Sequence, residues 1–184
     1  WGTPQLLQVK VGDNTTIGHP ALNQDETVMI FSSDLPGGYG GKDLWITVKQ
    51  KRNTWSEPMN LGPLVNTTGD EMFPFITEDS TIYFASNGHV GMGGFDIYKT
   101  SKNKDGAYVS PINLKVPINS SADDFGMIIE SGGERGYLTS NRLKWEDQTT
   151  GKLKNSKGGD DIYTFELFKP KLSVQGVVTD SKTG

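Results

Sequence analysis

"HVGMGGFDIY", His89 to Tyr98, decides the fold, because the chain carries it three times in altered form. "LPGGYGGKDLW" runs from Leu35 to Trp45, and "SKGGDDIY" from Ser156 to Tyr163. The kernel is Gly-Gly-x-Asp, then Leu or Ile, then an aromatic residue. A lone glycine run of this kind reads as a phosphate cradle. Such a cradle needs a helix N-terminus directly after it, so that aligned N–H groups meet the anion. Here the glycines lead into "FDIYKT", Phe95 to Thr100, which is β-branched and aromatic and reads as a strand.

The repetition extends well beyond the loop. A shift of 53 residues carries Asp43 to Asp96, Trp55 to Tyr108, Pro58 to Pro111, Asn60 to Asn113 and Asn66 to Asn119. It also sets Asp70-Glu71 over Asp123-Asp124, and a shift of 54 lays "WGTPQLL" from Trp1 over "WSEPMNL" from Trp55. A second segment recurs as "DETVMIFSS" from Asp25, "DSTIYFASN" from Asp79 and "GGERGYLTSN" from Gly132. Asp96 and Asp161 stand 65 residues apart, and the polar insertion Arg142 to Lys157 accounts for the excess.

Each unit divides into four pieces. "MFPFI", Met72 to Ile76, is a first apolar run, followed by a turn at Glu78-Asp79-Ser80. "TIYFAS", Thr81 to Ser86, is apolar in succession, as a strand covered on both faces requires. The glycine loop leads to a third strand, Asp96 to Thr100. A tip at Lys104-Asp105-Gly106 then turns into an outer strand beginning at Tyr108. No helical apolar period is present. Four short antiparallel strands per repeat of about 50 residues predict an all-β chain of propeller blades. Three such units make part of a larger or assembled propeller.

Composition narrows the function. The 184 residues fit one domain, or one and a fraction. A net charge of −4 without a basic face speaks against nucleic acid, and no apolar run approaches a membrane span. Cysteine is absent, which excludes disulfides, thiolate nucleophiles and Cys-based zinc sites. The chain opens at Trp1 without a charged or apolar leader, so any targeting signal is expected outside it.

"FPFITEDSTIYFASNGHVGMGGFDIYKT…YVSPINLKVPINS" resembles the TolB-type, WD-repeat-like propeller repeat of envelope proteins that carry an OmpA-like domain. The resemblance covers Trp1 to Leu167. "LSVQGVVTDSKTG", Leu172 to Gly184, is similar to the opening of a carboxypeptidase-regulatory-like β-sandwich. It implies residues 1–168 as propeller blades, and 169–184 as linker and first strand of that sandwich. It implies further a non-catalytic, outer-membrane-associated periplasmic lipoprotein of the type IX secretion machinery, with peptidoglycan held by a separate OmpA-like domain. Other envelope or secretion proteins are the expected partners, without cofactor or metal.

The residues carry an architectural reading. Gly40, Gly41, Gly93, Gly94, Gly158 and Gly159 allow close backbone approach. Asp43, Asp96 and Asp161 are expected to accept backbone N–H bonds that pin each loop. Trp1, Trp55 and Tyr108 share one repeat position and read as packing anchors, with an aromatic sugar platform as the alternative. The acidic pairs read as solvated or capping groups at unit junctions, since paired catalytic carboxylates must face each other across a sugar. "SKNKDG" lacks the first acidic ligand of a calcium loop, and Ile112 stands where its closing Glu belongs. His19 and His89 read as turn or surface residues, and Asn14, Asn66 and Asn119 as turn formers.

The insertion is the segment that breaks the repeat. Arg142, Lys144, Trp145, Lys152 and Lys154 form the candidate partner contact, set against a merely solvated loop. Trp1 to Val9 is expected to complete an open sheet, in the same chain or in a second copy. Two other functions stay open on the sequence: a substrate-filtering propeller over a hydrolase, and a carbohydrate-binding propeller.

Overall fold

A computed structural model of the chain describes residues 1–7, 9–147 and 152–167. The sandwich strand expected over 169–184 lies outside them. The described residues are all-β, with one 3-10 turn at Lys51–Asn53 and no α-helix. No helix among them is long and apolar enough to cross a membrane.

Three antiparallel sheets follow one another along the chain. The first takes β1 (Ile17–Leu22), β2 (Val28–Ser33), β3 (Asp43–Val48) and β4 (Met59–Asn60) in that order. The second takes β5 (Glu71–Ile76), β6 (Ile82–Ser86), β7 (Asp96–Thr100) and β8 (Ile112–Asn113). The third holds β9 (Asp124–Ile129), β10 (Arg135–Ser140) and β13 (Asp161–Glu166), with β10 in the middle. The insertion folds into a separate hairpin of β11 (Lys144–Asp147) and β12 (Lys152–Asn155).

The outer strands are shorter than the sequence predicts. Tyr108 makes only an isolated bridge to Lys102, and Trp55 likewise to Lys49; regular pairing starts at Ile112 and at Met59. Pro58 and Pro111 immediately precede those strands and have no N–H to give the ladder.

Sheet packs on sheet. Ile30, Leu44, Leu61 and Val65 from the first unit meet Ile82, Phe84 and Tyr98 of the second. Ile97 of the second meets Met127 and Leu138 of the third. The other face of the first sheet buries Met29, Phe31, Trp45 and Trp55, with Val9 and Leu35 packed against them. Burying a side chain such as Phe31 or Phe84 stabilises by roughly 1.5–3 kcal/mol, so these interfaces hold the units together. β6 and β7 are buried along nearly their whole length, because a sheet lies on either side. β13 alternates between half-buried and exposed positions, as a strand covered on one face does.

The first strand of every sheet carries a register shift at the same place. His19, Phe73 and Gly126 occupy it, with φ of 52°, 53° and 63°. His19 is thus inside β1 and not in the turn before it. Its ring stacks on Phe73 with centroids 4.1 Å apart, and Phe73 lies 5.0 Å from Phe125.

Candidate functional site

The three glycine loops hold the residues in which chemistry would be sought. Asp43 is buried, and its Oδ2 accepts the Tyr39 N–H at 2.7 Å and the Asn60 amide at 2.7 Å. Gly40 N–H donates to its Oδ1 at 3.3 Å. Asp96, also buried, accepts the N–H groups of Met92 and Gly93. Asp161 accepts the Lys157 N–H at 2.7 Å. Each carboxylate closes its own loop, and the three do not converge on a shared ligand position.

The glycines serve the contact with the next unit. A Cβ on Gly40 would collide with the Thr67 and Gly69 carbonyls, and one on Gly93 with the Ala122 carbonyl. A Cβ on Gly41 or Gly94 would strike Asp70 or Asp123. Gly158 and Gly159 have open space around them.

Asp70 and Asp123 form a latch between units. Asp70 Oδ1 accepts the Lys42 N–H at 2.8 Å, and Asp123 Oδ1 accepts the Phe95 N–H at 2.8 Å. The adjacent acids, read from sequence as solvated or capping, are fully buried. Glu71 accepts the Thr67 N–H at 2.8 Å and the Thr67 and Ser86 hydroxyls, each at 2.6 Å. Asp124 accepts the Ser120 N–H at 2.6 Å and is ion-paired with Arg142 at 2.5 Å. Such burial is tolerable because every oxygen finds a donor.

Asn66 and Asn119 are not simple turn formers. Asn66 Oδ1 accepts the Leu44 N–H at 2.8 Å, while its Nδ2 donates to the Leu44 carbonyl at 3.0 Å and to Asn60 at 2.8 Å. Asn119 treats Ile97 and Asn113 in the same way, at 2.8, 2.9 and 2.9 Å. Each amide stands in for a strand residue beside β3 or β7. Both side chains are buried, so neither can act as a glycan acceptor in the folded chain.

Arg142 is turned inward, which corrects its place in the partner-contact set. Its guanidinium donates to Pro117 O at 3.1 Å, Ile118 O at 2.5 Å and Ser140 Oγ at 2.9 Å, and lies 5.1 Å from the Tyr163 ring centre. His89 makes the corresponding contact one unit earlier, Nε2 lying 2.8 Å from Val65 O. Lys144, Lys152 and Lys154 are exposed, and Trp145 sits opposite Lys154 in the β11–β12 register.

Of the anchor position, Trp55 is buried beside Trp45, and Tyr108 packs between the first two sheets. Burial pushes the Tyr108 hydroxyl up to about 12. Tyr108 stays half-buried, with Lys102 Nζ 5.1 Å from its ring centre. Trp1 is not an anchor here: it is 124% exposed, because no described sheet lies beside it.

Between the second and third sheets, a cavity of about 490 Å³ opens beside Phe75, Tyr83 and Ile129. Its acids are engaged. Asp79 accepts the Thr77 hydroxyl and the Thr81 N–H, which hold its carboxyl below the ordinary range. Glu130 takes the Tyr137 hydroxyl at 2.8 Å, and Glu78 takes Ser131 at 3.4 Å. Burial, and then the Lys42 charge, hold the His19 imidazole below its ordinary value. Among the described residues no group of three His, Cys, Asp or Glu is placed to hold a metal.

No family model and no curated protein matches the chain. Function is therefore to be sought in the repeat and in its junctions.

Proposed function

We propose that the chain is a non-enzymatic β-propeller scaffold, its sheets acting as blades, in an outer-membrane-associated periplasmic lipoprotein. One observation carries the reading. Two successive junctions use the same latch, the same amide clamp and the same glycine contact, so the carboxylates an enzyme would aim at a substrate are committed to architecture. Residues 1–168 then form the blades and 169–184 open a regulatory-like sandwich. The "GGFDIY" and "YVSPINL" pattern supports membership among OmpA-family envelope proteins, with PorE of the type IX secretion machinery the member it resembles. Peptidoglycan anchoring falls to a separate OmpA-like domain. Other secretion proteins dock on the blades, and the exposed lysines of the β11–β12 hairpin are the surface that stands outside the repeat.

The test is made in the parent cell. Removing residues 1–167 from the encoded protein should abolish delivery of secreted cargo while the remainder stays in the outer-membrane fraction. Undiminished secretion removes the scaffold role. Hydrolysis by the purified chain that disappears in Asp96→Asn removes the non-enzymatic one.

A further inference from the structure

The first and second sheets close on Ile30, Leu44, Leu61 and Val65 against Ile82, Phe84 and Tyr98. Beyond that contact they part, and a groove of about 460 Å³ lies between them. Val28, Ile46, Val48, Met59 and Leu64, all from the first unit, form one wall. The turn from Lys102 to Tyr108 forms the other, and Gly106 and Ala107 keep it low. Val48, Met59 and Leu64 are exposed to solvent along the groove.

The repeat does not require these apolar residues. At the same positions the second unit has Thr81 for Val28, Lys99 for Ile46 and Ser101 for Val48. The two units match in register, since Met29 faces Thr47 as Ile82 faces Thr100. A wall needed only for sheet contact would recur with the sheets. This one is apolar in the first unit and polar in the second, so it answers to something other than the packing of units.

Two donors stand over the apolar wall. Lys102 is exposed, with its Nζ above the half-buried Tyr108 ring. Among the described residues neither the ammonium nor the Tyr108 hydroxyl has a hydrogen-bond acceptor. Burial pushes that hydroxyl up to about 12, so it keeps its proton and donates at neutral pH. No carboxylate lines the groove, and Asn60, its remaining polar side chain, is already bonded to Asp43, Gly62 and Asn66. An apolar cleft with a few converging polar groups is the usual form of a small-molecule site, for which about 300–1,000 Å³ is typical. Charge complementarity selects an anion with an apolar body. A peptide would bring amides for which no side chain here is left, whereas an alkyl chain brings none. We infer that the groove binds a single-chain aliphatic carboxylate, its chain along Ile46, Met59 and Leu64 and its carboxylate between Lys102 and the Tyr108 hydroxyl. The site lies apart from the glycine loops and latches, so it stands independently of the scaffold reading.

Decanoate is the probe, titrated into the full chain with amide chemical shifts as the readout. Saturable shifts centred on Val48, Met59, Lys102 and Tyr108 are expected, with decanol weaker and decylamine without effect. Octanoate should bind less tightly, by up to about fourfold for each methylene removed. Lys102→Met should weaken decanoate about tenfold or more, as the loss of a charge-assisted bond does, and Tyr108→Phe by roughly two- to tenfold. Lys102→Glu should turn the preference from decanoate to decylamine. Lys102 is exposed, so both of its variants keep the fold, which an unchanged urea midpoint verifies. The absence of any saturable shift with decanoate overturns the inference. So does equal affinity for decanol, undiminished binding in Lys102→Met, or a perturbation centred elsewhere on the chain. Tighter binding of acetyl-Leu-Leu with a free carboxylate overturns it as well, by assigning the groove to a protein C-terminus.

Discussion

Asp70 accepts the backbone N–H of Lys42 at 2.8 Å across the first junction, and Asp123 does the same for Phe95 across the second. The shared geometry means that a glycine loop is fully built only when the next unit lies against it. The third loop has the sequence but no described neighbour, which makes it an internal control for the other two.

Gly93 and Gly158 hold the same repeat position, so their alanine variants isolate the junction. Gly93→Ala drives a methyl into the Ala122 carbonyl and should cost about 2–3 kcal/mol, the range of an overpacked core. Gly158→Ala should change stability by less than about 0.5 kcal/mol in the monomer. Urea unfolding midpoints measured side by side decide this; equal losses would mean the close approach is unimportant.

Asn119→Leu keeps the side-chain volume and removes the clamp. The Ile97 N–H and carbonyl are then left buried without partners, at roughly 1–3 kcal/mol each. A loss of about 2–5 kcal/mol is expected in equilibrium denaturation, with earlier exchange of the Ile97 amide hydrogen.

Arg142→Met strands the Asp124 carboxylate, which is fully buried, and should cost about 3–5 kcal/mol. Adding Asp124→Asn should recover part of that loss, since the uncompensated charge disappears. Lys144→Ala, on the exposed hairpin, should stay within about 0.5 kcal/mol. A neutral Arg142→Met would return this arginine to the solvent-exposed contact set.

Tyr108 titrates at about 12 in the fold, against an ordinary value near 10. The fold holds the proton more tightly than the unfolded chain does. Its contribution is therefore complete below pH ~10 and is lost as pH rises from there through about 12. Tyr108→Phe should flatten the decline in stability over this alkaline window, read as a denaturation midpoint against pH. An unchanged slope would place the titrating group elsewhere.

Strand order and loop position were legible because they follow from local chemistry repeated at a fixed spacing. β7 begins at Asp96 and β13 at Asp161, as the motif predicts. What sequence could not supply was orientation. Asn66 and Asn119 precede their acidic pairs by the same interval, a signal compatible with a turn and with a buried clamp alike. Only the position of Leu44 and Ile97 beside them decides between the two. Arg142 looked like the start of the insertion, yet it completes the unit before it, where Gly88 and His89 stand in the second repeat. Trp1 kept the anchor's identity without the sheet that would have made it one.

The one-way interlocking of loop into following unit has a mechanical corollary. Tension applied between Trp1 and Leu167 is carried through the two joints in series, and each can part without its neighbour. Force spectroscopy should record discrete rips, about 53 residues or roughly 180 Å of slack for each of the first two units, instead of a single collapse. A protein built this way yields under load by stages, and the stage still closed keeps its surface intact.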